Sequence, residues 1–111
     1  MKIKKKSPPR EYKVGLQSQI TIKDCGSIFL DPDEQFTFIT TTEKEYDVTR
    51  KDWGFYATPS MNGRLKDFGF KTALVKNSSN RLYIMIVDED KMDSFKNYLA
   101  EEKQMIIEWF S

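Results

Sequence analysis

The chain has 111 residues, 39% hydrophobic and 14% aromatic, and 18 basic residues against 17 acidic, a net charge of +1. That is one domain's worth of sequence with enough apolar side chain for a core, and its balanced charge does not argue for a nucleic-acid binder or a membrane binder. With no histidine and one cysteine, Cys25, the chain can build no Ser-His-Asp triad, Cys-His pair, His-ligated zinc, four-cysteine zinc site or internal disulfide.

The charge is unevenly spread. Residues 1–13 hold Lys2, Lys4, Lys5, Lys6, Arg10 and Lys13 against Glu11, leaving 12 basic and 16 acidic residues for the rest. With Pro8 and Pro9 and no hydrophobic period, residues 1–17 read as a basic flexible arm, and 18–111 as a single α+β domain. The N-terminus has no apolar signal region, and the longest apolar run, 82–87, is too short to span a bilayer. A reducing cytoplasm, in an AT-rich bacterium, is the expected location.

Alternation predicts a strand over 18–23, with Ile20 and Ile22 on one face, then a turn at 24–26 and a short strand at 27–30. A turn at 31–34 leads to a strand at 35–41, and Tyr46 and Val48 alternate along another at 46–50. Residues 53–57 are β-rich. Thr58 reads as an N-cap with Pro59 in the first helical position. Met61, Leu65 and Phe68 then form one face of a helix at about 59–68, stopped by Gly69. Strands follow at 71–76 and 81–87, joined by an Asn-Ser-Ser-Asn turn. The 81–87 strand is apolar on both faces and is expected at the centre of the sheet. Asp88 caps a helix at about 89–102, with Met92, Phe95 and Leu99 inward, and 105–110 forms the last strand. The predicted fold is a mostly antiparallel or mixed sheet with two helices on one face. Residues 53–111 follow a βαββαβ order, of which the ferredoxin-like topology is one version.

The most informative stretch is 53–70, with five aromatics, three glycines and a helix start. A helix N-terminus attracts anions; Thr58 and Ser60 add hydroxyls, Asn62 an amide and Arg64 a guanidinium fork. Trp53 and Tyr56 are the rings for stacking a sugar or base. The alternative is structural: Thr58 and Pro59 cap, Gly63 relieves a clash, Arg64 is solvated, and Trp53, Phe55 and Tyr56 are core. The carboxylates Asp31, Asp33 and Glu34, and Asp88, Glu89 and Asp90, lack the spacing of a metal loop, and Cys25 has Asp24 beside it to oppose thiolate formation. No catalytic residues, metal site or cofactor are assigned.

The segments Cys25-Gly-Ser-Ile-Phe-Leu, Glu45-Tyr-Asp-Val-Thr-Arg-Lys-Asp-Trp-Gly-Phe-Tyr-Ala-Thr-Pro-Ser and Asn62-Gly-Arg-Leu resemble a group of small bacterial proteins encoded among genes for surface-polysaccharide or nucleotide-sugar synthesis. The resemblance covers roughly 18–111 and implies a cytoplasmic accessory role near sugar nucleotides, with no catalytic residues to carry over.

Three functions are open from the sequence. The first is a non-catalytic accessory domain binding a phosphorylated sugar or nucleotide sugar through Trp53, Tyr56, Thr58, Ser60, Asn62 and Arg64. The second is a protein-interaction module, a homodimer or accessory subunit, assembling by an exposed strand edge or aromatic patch. The third is a small carboxylate-based enzyme using Asp47, Asp52, Tyr46 or Tyr56, disfavoured by the missing histidine.

Overall fold

The computed structural model describes residues 1–111. Its strands are β1 (Lys2–Val14), β2 (Ile20–Phe29), β3 (Gln35–Ile39), β4 (Glu45–Lys51), β5 (Gly54–Ala57), β6 (Phe70–Lys76), β7 (Leu82–Asp88) and β8 (Met105–Trp109), with helices α1 (Arg64–Asp67) and α2 (Met92–Glu101). They form three sheets, ordered β1-β2, β3-β4-β5 and β7-β6-β8. The α+β class, mostly antiparallel β, is as the sequence predicts. No helix is long and apolar enough to cross a membrane. Two compact units are resolved, Met1–Phe36 with Val48–Tyr56, and Thr37–Asp47 with Ala57–Ser111.

In the first unit, the expected flexible arm is strand β1, paired antiparallel with β2 from Lys2 opposite Phe29 to Val14 opposite Ile20. Composition hid it: lysines and prolines lower strand propensity, but cross-strand pairing outweighs them. Residues Lys6 to Pro9 occupy a register shift that lets the proline pair bulge out of the ladder. The turn expected at 24–26 is instead the middle of β2. Gly26 sits there at φ +135°, and any Cβ would overlap the Lys4 carbonyl across the ribbon, so glycine is required inside the strand.

In the second unit, β6 pairs with β7 from Phe70 opposite Asp88 to Lys76 opposite Leu82, and with β8 on its other side. Ala73 and Val75 are wholly buried and pack with Leu99 of α2, flanked by Met85, Phe95, Ile106 and Trp109. Burying each large side chain contributes roughly 1.5–3 kcal/mol. The turn before β7 is as predicted: the Asn77 carboxamide accepts from the Ser79 and Arg81 amides at 2.9 Å each.

Three expectations fail here. The central strand is β6, not 81–87; β7 lies at the edge of its sheet, with Leu82 59% and Ile84 60% exposed. The βαββαβ order is present, but the ferredoxin-like topology would need its first strand in the sheet of the other three, and β5 pairs beside β4 instead. The helix over 59–68 shrinks to Arg64–Asp67, entered at Gly63 with no side-chain cap. Pro59, Asn62 and Gly63 favour turns, and the Gly63 and Leu65 amides both donate to the Ser60 carbonyl. Its C-terminal stop is as predicted, with Gly69 at φ +86° donating to the Lys66 carbonyl.

Candidate functional site

The residues expected to bind an anionic sugar fall in both units: Trp53 and Tyr56 in the first, and Thr58, Ser60, Asn62 and Arg64 in the second. Trp53 and Tyr56 are not core. Their rings stack at 6.1 Å with an interplanar angle of 29°, and Trp53 is 69% exposed. Phe55 is exposed as well. The Thr58 amide donates to the Asp47 carbonyl at 3.0 Å rather than capping a helix. At Gly63 a Cβ would meet the Ser60 hydroxyl, which would have to rotate away.

Arg64 has a defined partner. Its Nη1 donates to Asp47 Oδ2 at 2.7 Å, while Thr37 Oγ1 donates to Asp47 Oδ1 at 2.7 Å. Asp47 on β4 is 3% exposed. The Thr37 hydroxyl first, and then Arg64, hold its carboxyl below the usual carboxylate range against the opposing effect of burial. An ionised carboxylate with both oxygens engaged by protein donors is a structural anchor, not a poised general acid. Arg64 extends over the Phe68 ring at 5.6 Å. Tyr46, beside it on β4, has its hydroxyl pKa raised by burial and is no better a base.

A second polar cluster sits at the end of β7. Lys44 Nζ donates to Asp88 Oδ1 at 2.6 Å and to Asp90 Oδ2 at 3.1 Å. The Asp88 carboxylate also accepts from the Asp90 amide at 2.9 Å, capping the 3-10 turn Glu89–Lys91 that leads into α2. Lys44 lowers the Asp88 pKa, and Asp88 raises that of Lys44. These acids are accounted for as a brace that ties β7 to its following helix.

Asp88 also lines a groove of about 500 Å³, with Met85, Ile86, Val87, Lys91, Phe95 and Tyr98 among the other residues. Successive β7 residues point to opposite faces, so Met85, Ile86 and Val87 can all line one groove only at the strand's edge. The inner edge of β7 is occupied by β6. The groove therefore opens beside an outer edge whose backbone groups have no strand neighbour, flanked by aromatic side chains of α2. The sequence signal for this surface is the apolar run on both faces of 81–87: it predicts double burial at the sheet centre, but here it lies at an edge. No protein-family model, curated protein or solved structure matches this chain.

Proposed function

We propose that this chain is a protein-interaction module that assembles with a second copy by antiparallel pairing of two β7 strands. The observation that carries this is the composition of an exposed edge: from Leu82 to Val87 there is no lysine, proline or glycine, and Leu82, Tyr83 and Ile84 are exposed. An edge of that kind is a template for another strand unless something protects it. The one charge within β7, Asp88, is held by Lys44.

The strand is self-complementary. About a two-fold axis at Met85, Ile84 of one copy faces Ile86 of the other, Tyr83 faces Val87, and Arg81, just before the strand, faces Glu89. The two β7-β6-β8 sheets then continue into one, and the Phe95 and Tyr98 side chains flank the junction. Sedimentation equilibrium across a dilution series tests this: a monomer–dimer equilibrium is expected, and a monomer throughout the series would overturn it.

A sugar-binding role rests on the exposed Trp53 and Tyr56 rings, which offer a flat apolar face to a pyranose. A thermal-shift panel of sugar phosphates and nucleotide sugars tests that role; a rise of several degrees with one class supports it, and a flat panel counts against it.

A further inference from the structure

The β1–β2 ribbon concentrates charge that the chain as a whole conceals. Residues 2–29 carry seven basic residues and two acidic ones, leaving 11 basic and 15 acidic elsewhere. One of the two acids, Asp24, is occupied: Lys6 Nζ donates to it at 2.6 Å and Arg10 Nε at 3.4 Å. Those two cations and the Gly26 amide hold its pKa low. The cationic surface that remains is borne by Lys2, Lys4, Lys5, Lys13 and Lys23, on a strand pair about 33 Å long, set by the ten residues of β2 at roughly 3.3 Å each.

An aromatic ring lies within this surface. Phe29 is directly opposite Lys2 in the ladder, is 50% exposed, and has Lys4 Nζ 5.7 Å from its ring centroid. Lys4 and Ser27, the next pair on the same face, supply an ammonium and a hydroxyl. At the far end Lys13 Nζ donates to Thr21 Oγ1 at 2.6 Å, on the face that also carries the opposed Glu11 and Lys23. A purely acidic protein partner would use the lysines but leave an exposed phenyl ring unexplained. A polymer with both regularly spaced anions and flat rings uses both.

We infer that this ribbon binds single-stranded nucleic acid, with phosphates held by Lys2, Lys4, Lys13 and Lys23 and a base stacked on Phe29. This is independent of how β7 pairs. The test is fluorescence anisotropy of the full chain with labelled oligothymidylate and oligouridylate of equal length over a salt series. Saturable binding is expected, with log affinity falling against log salt at a slope of about −3, roughly −0.7 for each of four phosphates. Replacing both Lys13→Ala and Lys23→Ala should flatten the slope to about half. Phe29→Leu should weaken binding roughly five- to a hundredfold while leaving the slope unchanged. Phe29→Tyr, which keeps a stacking ring, should bind as the wild type, so a fold defect in the Leu variant is distinguishable by circular dichroism. The inference is overturned if the wild type fails to bind at low salt, or if Phe29→Leu binds as well as Phe29→Tyr. Equal competition by polyglutamate, or tighter capture by phosphatidylserine vesicles, would also overturn it, since each marks plain polyanion or membrane adhesion.

Discussion

Strands β1 and β7 both present an open edge, and they treat it in opposite ways. Along Lys2–Val14, β1 carries lysines at positions 2, 4, 5, 6 and 13, two prolines and a register shift, each a device that discourages another strand from docking. Along Leu82–Asp88, β7 carries none of them. Charge on an edge strand costs pairing energy and discourages docking, so its absence from Leu82 to Val87 is informative. The guarded ribbon is suited to a soluble, highly charged partner, and the unguarded strand to another strand.

The largest expected effect comes from giving β7 the protection β1 already has. Ile84 is exposed, so Ile84→Lys should leave the monomer folded while placing an ammonium where the two copies meet. Burying an unpaired charge and losing apolar contact on both sides should raise the dimer dissociation constant about a hundredfold, close to 3 kcal/mol. Sedimentation of the variant beside the wild type reads this directly, and an unchanged dimer would place the interface elsewhere.

A control is needed that weakens the β7-bearing unit without touching its edge. Arg64→Ala does this by leaving the buried Asp47 carboxylate with Thr37 as its remaining side-chain donor, for a loss of about 1–3 kcal/mol in denaturant unfolding. The dissociation constant, corrected for the unfolded fraction, should not move. The same pair predicts a pH dependence. Because the folded Asp47 pKa lies below that of an ordinary aspartate, the unfolded chain binds the proton more readily. The stabilisation is present above about pH 4 and is lost as pH falls through the folded value. Arg64→Ala should shrink that acid-side loss, and a variant as acid-sensitive as the wild type would remove Arg64 from the cause.

Much of the fold was legible because local signals and tertiary structure agree. The Asn77 turn, the Gly69 stop and the Asp88 cap each depend on one or two residues whose chemistry permits little else. The failures share a cause: they turned on what a segment pairs with, which alternation does not encode. Lysines and prolines disguised β1 because its stability comes from β2, and Gly26 looked like a turn because its close approach is to Lys4, distant in sequence. The apolar run of β7 was equally compatible with a central strand and an unguarded edge, and only the sheet order separates them. At the candidate site, Arg64 and Asp47 each stand out in the sequence, but for different chemistries; their pairing is hidden because 17 residues separate them and neither sits in a recognisable motif.

The reverse experiment removes protection from β1. Lys4→Val with Lys5→Val adds two β-branched apolar residues to a free edge, one on each face. Static light scattering should then show concentration-dependent growth beyond the wild-type size, with self-association strengthened by about 1 kcal/mol per chain. If the double variant stays the size of the wild type, the prolines and the bulge suffice as guards and the lysines serve another purpose, which would strengthen their assignment to ligand binding.

The smallest expected effect is also the most specific to geometry. Pairing about Met85 brings Arg81 of each copy opposite Glu89 of the other, two solvent-accessible contacts related by the two-fold axis. Arg81→Glu alone should place like charges at both ends of the junction and weaken the dimer about three- to tenfold, as expected for exposed pairs counted twice. Glu89→Arg alone should do the same, and the double variant should recover most of the loss because the pairs are restored with their signs exchanged. A shift of the axis by one residue, to Ile84, would instead set Arg81 against Val87 and Asn80 against Asp88, and the two single variants would then be independent, with no recovery in the double. Recovery therefore reports the register as well as the interface. Since the contacts are exposed, it should fade as salt is raised, whereas the effect of Ile84→Lys, which acts through desolvation and apolar contact, should persist.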